Sequence, residues 1–271
     1  MLKTRMITAI ILLAVLLLVT LCIPLKDFGV LIALVLAFAA WEWGKLLQLP
    51  GIWPLYYSAL SSAILIAYIL VGTTLGSLIS WVSSIFWIVV APFVLLRKPI
   101  LASGIWRGFL LVAGIVLFIA CWRTMVAARV SGVIFILSLL LIVCLADIGA
   151  YFAGKYFSHH KLAPVISPNK TWEGAIGGWL SAIMGALLTF AANPSLLTMT
   201  GLLVQRFGIV GAVLALSLLV IFSIVGDLFE SLLKRQASVK DSSQLLPGHG
   251  GVLDRIDGLL PVLPLSMLLL S

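Results

Sequence analysis

Acidic side chains recur at helical spacing in the segment 226–258, beginning with Asp227 and Glu230 and followed by Ser231. These residues stand at positions i, i+3 and i+4, so a helix places them on one face. They directly follow an apolar run, 210–225, which puts the carboxylates at or within the edge of a membrane. An ionised group there costs about 3 kcal/mol unless it is paired, binds a cation or faces water. The sequence therefore predicts a functional site on this face.

Two further carboxylates, Asp254 and Asp257, repeat the i, i+3 spacing where the last apolar run begins. Asp227 and Asp254 are 27 residues apart, which leaves room for a helix end, a loop and a return to the same depth. Three carboxylates brought together repel one another, and a hard cation with oxygen ligands relieves that repulsion. We therefore predict a metal site formed by Asp227, Asp254 and Asp257. Magnesium fits better than zinc, because no Cys or His cluster has zinc-ligand spacing.

Four basic residues lie between or beside these carboxylates: Lys234, Arg235, Lys240 and Arg255. Cations next to a carboxylate-bound metal suit a triphosphate, whose charge has to be neutralised on several oxygens. Plainer interpretations remain open. Lys234 and Arg235 could be interface anchors that fix topology, and Arg255 could pair with the neighbouring aspartates in an ordinary ion-pair network.

A glycine-rich turn, Pro247-Gly248-His249-Gly250-Gly251, separates the two acidic groups. Its backbone N–H groups can approach phosphate closely because glycine has no side chain, and the helix start that follows also favours anions. Alone, such a turn is a weak signal, and a lone His249 is more often a structural hydrogen-bonding residue than a catalyst. Flanked by metal-type aspartates and four cations, the turn predicts a phosphate-binding loop.

A second polar segment, 147–178, carries Asp147 inside an apolar run. Its loop contains three lysines and two adjacent histidines, namely Lys155, Lys161, Lys170, His159 and His160. The histidines lack metal-ligand spacing and are left out of the metal site. Residues 167–171 predict a turn in which Thr171 caps the next helix. The loop is either a positive-inside connector or part of the site, and Asp147 is either a structural hydrogen-bonding group or a functional contact.

The composition shows what must position these groups. Of 271 residues, 63% are hydrophobic and 10% charged, whereas soluble globular proteins carry about 25% charged residues. A soluble domain is therefore excluded. The net charge of +8 indicates lipid headgroups and membrane topology, with no nucleic-acid partner, because the basic residues lie at membrane boundaries and in two polar loops.

A membrane-spanning helix needs about 20 mostly apolar residues. On that basis we predict an all-α, polytopic transmembrane helical bundle of about nine spans with short cytoplasmic polar loops. The spans are placed at 6–25, 28–47, 53–72, 75–96, 105–122, 131–153, 173–192, 208–232 and 253–270. The first run has no small-residue cleavage site, so we interpret it as a retained helix and not as a signal peptide.

The chain divides into N-terminal transmembrane helices, 1–130, and a catalytic transmembrane region, 131–271. Two predicted helices separate its long polar loops, 154–172 and 233–252, so both loops lie on one side of the membrane. The placement of Lys and Arg assigns that side to the cytoplasm.

Few polar residues occur in the N-terminal region. Glu42 and Lys45, set among Trp41 and Trp43, are predicted to form an interfacial salt bridge within an aromatic belt.

The motif residues resemble the signature of the phosphatidate cytidylyltransferase (CDP-diglyceride synthetase) family, in its bacterial form. The resembling stretches are Ser231 with Lys234-Arg235, Lys240-Asp241, and the run from Leu246 through the glycine turn to Asp254-Arg255 and Asp257. The segment 147–174 is similar to the family's second shared region, and Trp41-Glu42-Trp43-Gly44 shows a weaker likeness. The resemblance thus covers essentially the whole chain.

The resemblance implies transfer of CMP from CTP to phosphatidic acid for phospholipid biosynthesis, giving CDP-diacylglycerol and pyrophosphate. It implies a magnesium requirement, with potassium as a candidate second ion, and metal ligation by Asp227, Asp254 and Asp257. It also implies a homodimer among the lipids of the bacterial cytoplasmic (inner) membrane, with the active site facing the cytoplasm. The candidate catalytic residues are Asp227, Ser231, Lys234, Arg235, Lys240, Asp241, His249, Asp254, Arg255 and Asp257, and the candidate cofactor-binding residues are Lys170, Gly250 and Gly251.

Under this hypothesis the lipid phosphate attacks the α-phosphorus of CTP in line. A phosphomonoester has a second pKa of about 6, so it is largely dianionic at neutral pH and needs no dedicated general base. Two alternatives stay open. One is a CTP-dependent polyprenol or dolichol kinase, which attacks the γ-phosphorus. The other is a cation transporter whose pathway is lined by Asp147, Asp227 and Asp254.

Overall fold

The computed structural model describes residues 14–15, 17–72, 75–246, 248 and 250–270. Helices make up most of this part of the chain, which confirms an all-α fold. They are α1 (Leu25–Leu46), α2 (Trp53–Val71), α3 (Gly76–Arg97), α4 (Gly104–Ser131), α5 (Val133–Tyr156), α6 (Trp172–Ala192), α7 (Met199–Gln236), α8 (Leu253–Ile256) and α9 (Leu259–Leu270). A small antiparallel sheet of β1 (Lys161–Ala163) and β2 (Ser167–Thr171) connects α5 to α6.

Six of the described helices, α2 to α7, are long and apolar enough to cross a membrane. This confirms a polytopic membrane protein but not the predicted count of nine spans. Helix α1 carries two acidic and two basic residues, and α9 has only 12 residues. The first predicted span, 6–25, falls largely outside the described residues, and the last, 253–270, is divided between α8 and α9.

Helix α7 carries the first acidic group to the edge of the bundle. It starts at Met199, where the Thr198 side chain accepts a hydrogen bond of 2.9 Å from the backbone of Gly201. Gly208 interrupts it with φ 71° and ψ 176°, a conformation that glycine adopts without steric cost. The predicted span 208–232 therefore corresponds to the part of α7 that follows this kink.

The loop between α5 and α6 is more ordered than predicted. Residues 167–171, expected to form a turn, are strand β2, in which Thr171 pairs with Lys161. Thr171 also caps α6 as predicted, because its hydroxyl accepts a hydrogen bond of 3.1 Å from the backbone of Gly174. The hairpin fixes Lys170, which follows Asn169, beside the helices that carry the acidic groups.

Small residues allow α5 and α6 to pack closely. A Cβ added to Gly178 would lie 2.5 Å from the backbone oxygen of Ala146, and one added to Gly177 would overlap Ala153. Membrane helices use glycine in this way because close backbone approach replaces the hydrophobic driving force that lipid cannot supply. This packing holds Asp147 on α5 opposite the hairpin.

Helix α1 is a core element and not a membrane-interface anchor. Trp43 is 1% exposed and stacks on Phe229 of α7, with ring centroids 6.0 Å apart. Its indole nitrogen donates a 3.0 Å hydrogen bond to the Leu110 carbonyl of α4. The predicted aromatic belt is therefore wrong at Trp43, because the ring fills a gap between helices.

Gly178→Ala tests the close packing. Alanine normally stabilises a helix relative to glycine by up to about 1 kcal/mol, but here the methyl group meets backbone, so we expect destabilisation of about 1–3 kcal/mol. Thermal unfolding in detergent, monitored by gel filtration, measures the change in stability. Gly108→Ala is the matched control, since nothing lies within 4 Å of its added Cβ. Equal melting temperatures for the two variants would contradict the packing argument.

Candidate functional site

Three carboxylates converge where α7 meets the turn before α9. One oxygen each from Asp227, Glu230 and Asp257 lies within 4.8 Å of the others, which makes them a potential metal site among the described residues. The helical spacing of Asp227 and Glu230 accounts for two members. Gly226 accounts for the approach of the third, because a side chain there would overlap the backbone oxygen of Asp257. The sequence predicted Asp227 and Asp257 as ligands but not Glu230.

The chemistry of this group fits a hard divalent cation. Burial, followed by the charges of Asp227 and Glu230, raises the pKa of Asp257 well above its usual range. Oxygen Oε1 of Glu230 is buried and has no hydrogen-bond partner among the described residues. A buried acceptor without a donor is costly. A cation held by Asp227, Glu230 and Asp257 would satisfy that oxygen and offset the repulsion.

Asp254 adjoins Glu230 of this group, shares Lys234 with it and has further partners in the loop. One oxygen accepts from Lys234 Nζ at 2.5 Å, and the other accepts from the Gly251 backbone and from both the backbone and hydroxyl of Ser242, each at 2.8 Å. Burial opposes the charged form of Asp254, but the hydrogen bonds outweigh it and hold the pKa of this carboxyl below its usual range. Metal ligation by Asp254 stays a prediction, whereas the geometry gives it a role in fixing the loop.

Lys234 is an internal counterion. Its ammonium lies 2.6 Å from Glu230 Oε2 and 2.5 Å from Asp254 Oδ1, and its side chain is 11% exposed. A phosphate would have to compete with both carboxylates for it. Arg235 is also engaged, since its Nε donates a 3.1 Å hydrogen bond to the Ile166 carbonyl beside β2. The two predicted polar segments thus meet at the end of α7.

A cavity of about 320 Å³ opens beside the carboxylates. Lys170 contributes a cation to it and forms a 2.5 Å ion pair with Asp227. Asp147 also lines the cavity, so the helix, the hairpin and the acidic group share one space. Most of the other wall residues are small or apolar and come from α5, α6 and α7: Ala146, Ala150, Gly154, Gly174, Ala175, Gly178, Val220 and Ile224.

The remaining predicted residues are spread around this centre. Ser231 is buried, with its hydroxyl 3.5 Å from Asp227 Oδ1. Arg255 is exposed. Lys240 and Asp241 are exposed and line a second cavity of about 710 Å³ with Trp41 and Lys45. His249 lies outside the described residues.

Two of the three glycines in the predicted phosphate loop, Gly250 and Gly251, lie against side chains of the protein itself. Gly250 has φ +83°, and a Cβ there would lie 2.6 Å from Asp254 Oδ2. A Cβ on Gly251 would overlap Ser242 and Glu42. Glycine was expected to allow another group to approach the backbone closely at these positions. The groups that do so are Asp254, Ser242 and Glu42 of the protein itself, and phosphate binding stays a prediction.

The role predicted for Glu42 from the sequence is wrong. The predicted salt bridge to Lys45 is absent from the described ion pairs, and the Glu42 carboxylate is fully buried against Ser242, Ser243, Val252 and Leu253. Lys45 instead lies over the Trp41 ring, 4.5 Å from its centroid. Glu42 stands beside Trp43 in the weakly resembling stretch, but no spacing rule links it to a loop 200 residues away.

Lys234→Met tests the buried ion group. Removing the ammonium leaves the Glu230 and Asp254 carboxylates without their shared cation, at a cost of about 3–5 kcal/mol. We expect a lower melting temperature or loss of the folded fraction in gel filtration. Lys155→Met is the control, because Lys155 is exposed and its ammonium lies 5.8 Å from the centroid of the Tyr156 ring, away from the carboxylates. A Lys234→Met protein that melts with the wild type would contradict this role.

Comparison with known proteins places the chain in a family. Residues 3–271 match the model of the cytidylyltransferase family. A phosphatidate cytidylyltransferase of Pseudomonas aeruginosa is 35% identical over 276 residues, covering 100% of this chain and 97% of the relative. One from Staphylococcus haemolyticus is 37% identical over 83% of this chain and 81% of the relative. The chain therefore belongs to the cytidylyltransferase family.

Proposed function

We propose that this membrane enzyme transfers CMP from CTP to phosphatidic acid, giving CDP-diacylglycerol and pyrophosphate for phospholipid biosynthesis. Family membership supports CTP-dependent transfer, and the relatives in Pseudomonas and Staphylococcus bear the name phosphatidate cytidylyltransferase. The single observation that carries the proposal within the structure is the amphipathic cavity beside the carboxylate group.

The cavity suits a phosphate attached to an apolar chain. Lys170, Asp227 and Asp147 provide its charged part. Its walls carry Ala146, Val220 and other small or apolar groups from helices that cross the membrane. A lipid phosphate can bind at the polar end while its acyl chains remain between helices, in contact with lipid. A water-soluble substrate, such as a nucleotide sugar or an alcohol, would gain no binding energy from these apolar walls.

Charge neutralisation is the main task of the protein groups. The attacking lipid phosphate and the triphosphate are both anions, and phosphoryl-type transfer depends on positioning and on neutralising charge. Lys170 can hold a phosphate oxygen next to Asp227, while exposed Arg255 and Lys240 can attract the polyphosphate. No general base is required, because the lipid phosphate is already largely dianionic near pH 7.

Asp227, Glu230 and Asp257 are the groups that would hold magnesium. When bound, magnesium supplies positive charge to the phosphate oxygens and eases departure of pyrophosphate. Potassium as a second ion, and contacts of Ser231, Asp241, His249, Gly250 and Gly251 with substrates, are part of the proposal. So are the homodimer, the bacterial inner membrane and a site that faces the cytoplasm.

The position of a radiolabel in the products tests this function. With phosphatidic acid and CTP labelled at the α-phosphorus, we expect label in the lipid product and release of unlabelled pyrophosphate, both dependent on magnesium. Label retained in CDP, with the γ-phosphate on the lipid, would indicate a lipid kinase instead. Ion movement in liposomes without CTP consumption would favour a transporter.

Asp227→Asn tests the acidic group in the same assay. We expect kcat to fall by about 100-fold or more, since a ligand and the partner of Lys170 are both altered. Asp27→Asn, at an exposed position in the first turn of α1, should retain wild-type turnover. Near-normal activity of Asp227→Asn at ordinary magnesium concentration would refute the assigned role.

A further inference from the structure

Glu42 is a fully buried carboxylate whose partners all belong to one distant segment. It accepts hydrogen bonds from the hydroxyls of Ser242 and Ser243 at 3.0 and 2.5 Å, and from the backbone of Val252 and Leu253 at 3.0 and 2.6 Å. No cationic side chain pairs with it among the described ion pairs. Its burial in an apolar bundle is compensated by these donors alone.

The donors lie at both ends of the loop that carries the glycine turn. Ser242 and Ser243 precede the turn, and Val252 and Leu253 follow it. One carboxylate on α1 therefore closes the loop by holding its two ends together. Charge-assisted hydrogen bonds of this kind are stronger than those between neutral groups.

The same loop ends hold Asp254. The Ser242 hydroxyl lies 3.0 Å from Glu42 Oε2 and 2.8 Å from Asp254 Oδ2, and its single proton bonds one of them at a time. The Ser242 backbone N–H also donates to Asp254 Oδ2 at 2.8 Å, so Ser242 can bridge the two carboxylates. Asp254 in turn binds Lys234, and Lys234 binds Glu230 of the carboxylate group. A continuous series of hydrogen bonds thus runs from α1 to the candidate metal site.

Gly251 makes this contact possible. Any Cβ at this position would overlap both Glu42 and Ser242, so glycine allows the carboxylate to reach the backbone beyond it. The absence of a side chain at Gly251 is explained by this contact without invoking a ligand.

We propose that Glu42 is a positioning residue for the transfer reaction: it holds the two ends of the loop, Ser242-Ser243 and Val252-Leu253, and through Asp254 and Lys234 it sets the placement of Glu230 on α7. The inference rests on the proposed function. It gives the N-terminal helices a part in the site, although the lining of the 320 Å³ cavity contains no residue of α1 and none of this loop. Its consequence is specific: turnover depends on Glu42, whereas binding of the lipid substrate in that cavity does not.

Glu42→Gln is the informative variant. The amide keeps the shape of the side chain. Its NH₂ group, however, replaces an oxygen that accepts two of the four hydrogen bonds, so N–H donors face donors there. We expect kcat to fall by about 100-fold, as for a catalytic group displaced by about 1 Å, with KM for phosphatidic acid within about twofold of wild type. Glu42→Asp keeps the charge and should restore part of kcat. Gln48→Ala is the control. Gln48 lies just after α1, and its side chain bonds the Gln236 carbonyl at the end of α7 instead of the loop that Glu42 holds.

Trypsin cleavage after exposed Lys240 provides a readout independent of catalysis. A loop released from Glu42 should be cut at least about tenfold faster in Glu42→Gln than in wild type or Gln48→Ala. All rates are compared on monodisperse folded protein, below its melting temperature. A kcat that falls only with the folded fraction, or normal kcat with unchanged cleavage, overturns the inference. If the wild type transfers no CMP, the proposed function fails, and the cleavage rates still test the loop attachment.

Discussion

The structure depends on how negative charge is accommodated at the end of a membrane helix. Glu230 is the centre of that problem, because one of its oxygens pairs with Lys234 and the other is buried with no donor in the described part of the chain. Lys234 compensates one side of the carboxylate, and one oxygen of Glu230 lies within 4.8 Å of oxygens of Asp227 and Asp257. The end of α7 therefore combines ion pairs to Lys234 and Lys170 with three carboxylates and one unpaired buried oxygen, an arrangement that a bound cation and a phosphate substrate can use.

The surrounding elements position the acidic group, some by direct contact and others through intermediate residues. The hairpin supplies Lys170 to Asp227, Gly226 admits the turn that carries Asp257, and Glu42 holds the loop behind Asp254. Close packing of α5 on α6 forms the apolar walls beside it. In a membrane protein such polar contacts are expensive to bury, so their concentration around one cavity marks where the function lies.

The sequence predicted the elements better than the contacts between them. Apolar runs located the helices because lipid demands long uncharged segments, but the count of nine is not confirmed, since α1 carries charges and α9 is short. Spacing brought Asp227 and Asp257 together correctly. It could not separate Asp254 from Asp257, because their difference lies in tertiary partners: Asp254 bonds Lys234 and the loop backbone, whereas Asp257 joins Asp227 and Glu230. Glu42 was misread because Lys45 is its near neighbour, whereas its partners are about 200 residues away.

Binding of Mn²⁺, followed by electron paramagnetic resonance on the purified protein, tests the central account most directly. Manganese accepts the same oxygen ligands as magnesium. The account predicts about one tightly bound ion per chain, weakened more than about tenfold by Asp257→Asn and little by Asp27→Asn, since Asp27 is exposed on α1, outside the group of Asp227, Glu230 and Asp257. Undiminished binding by Asp257→Asn, or no binding by the wild type, would contradict it.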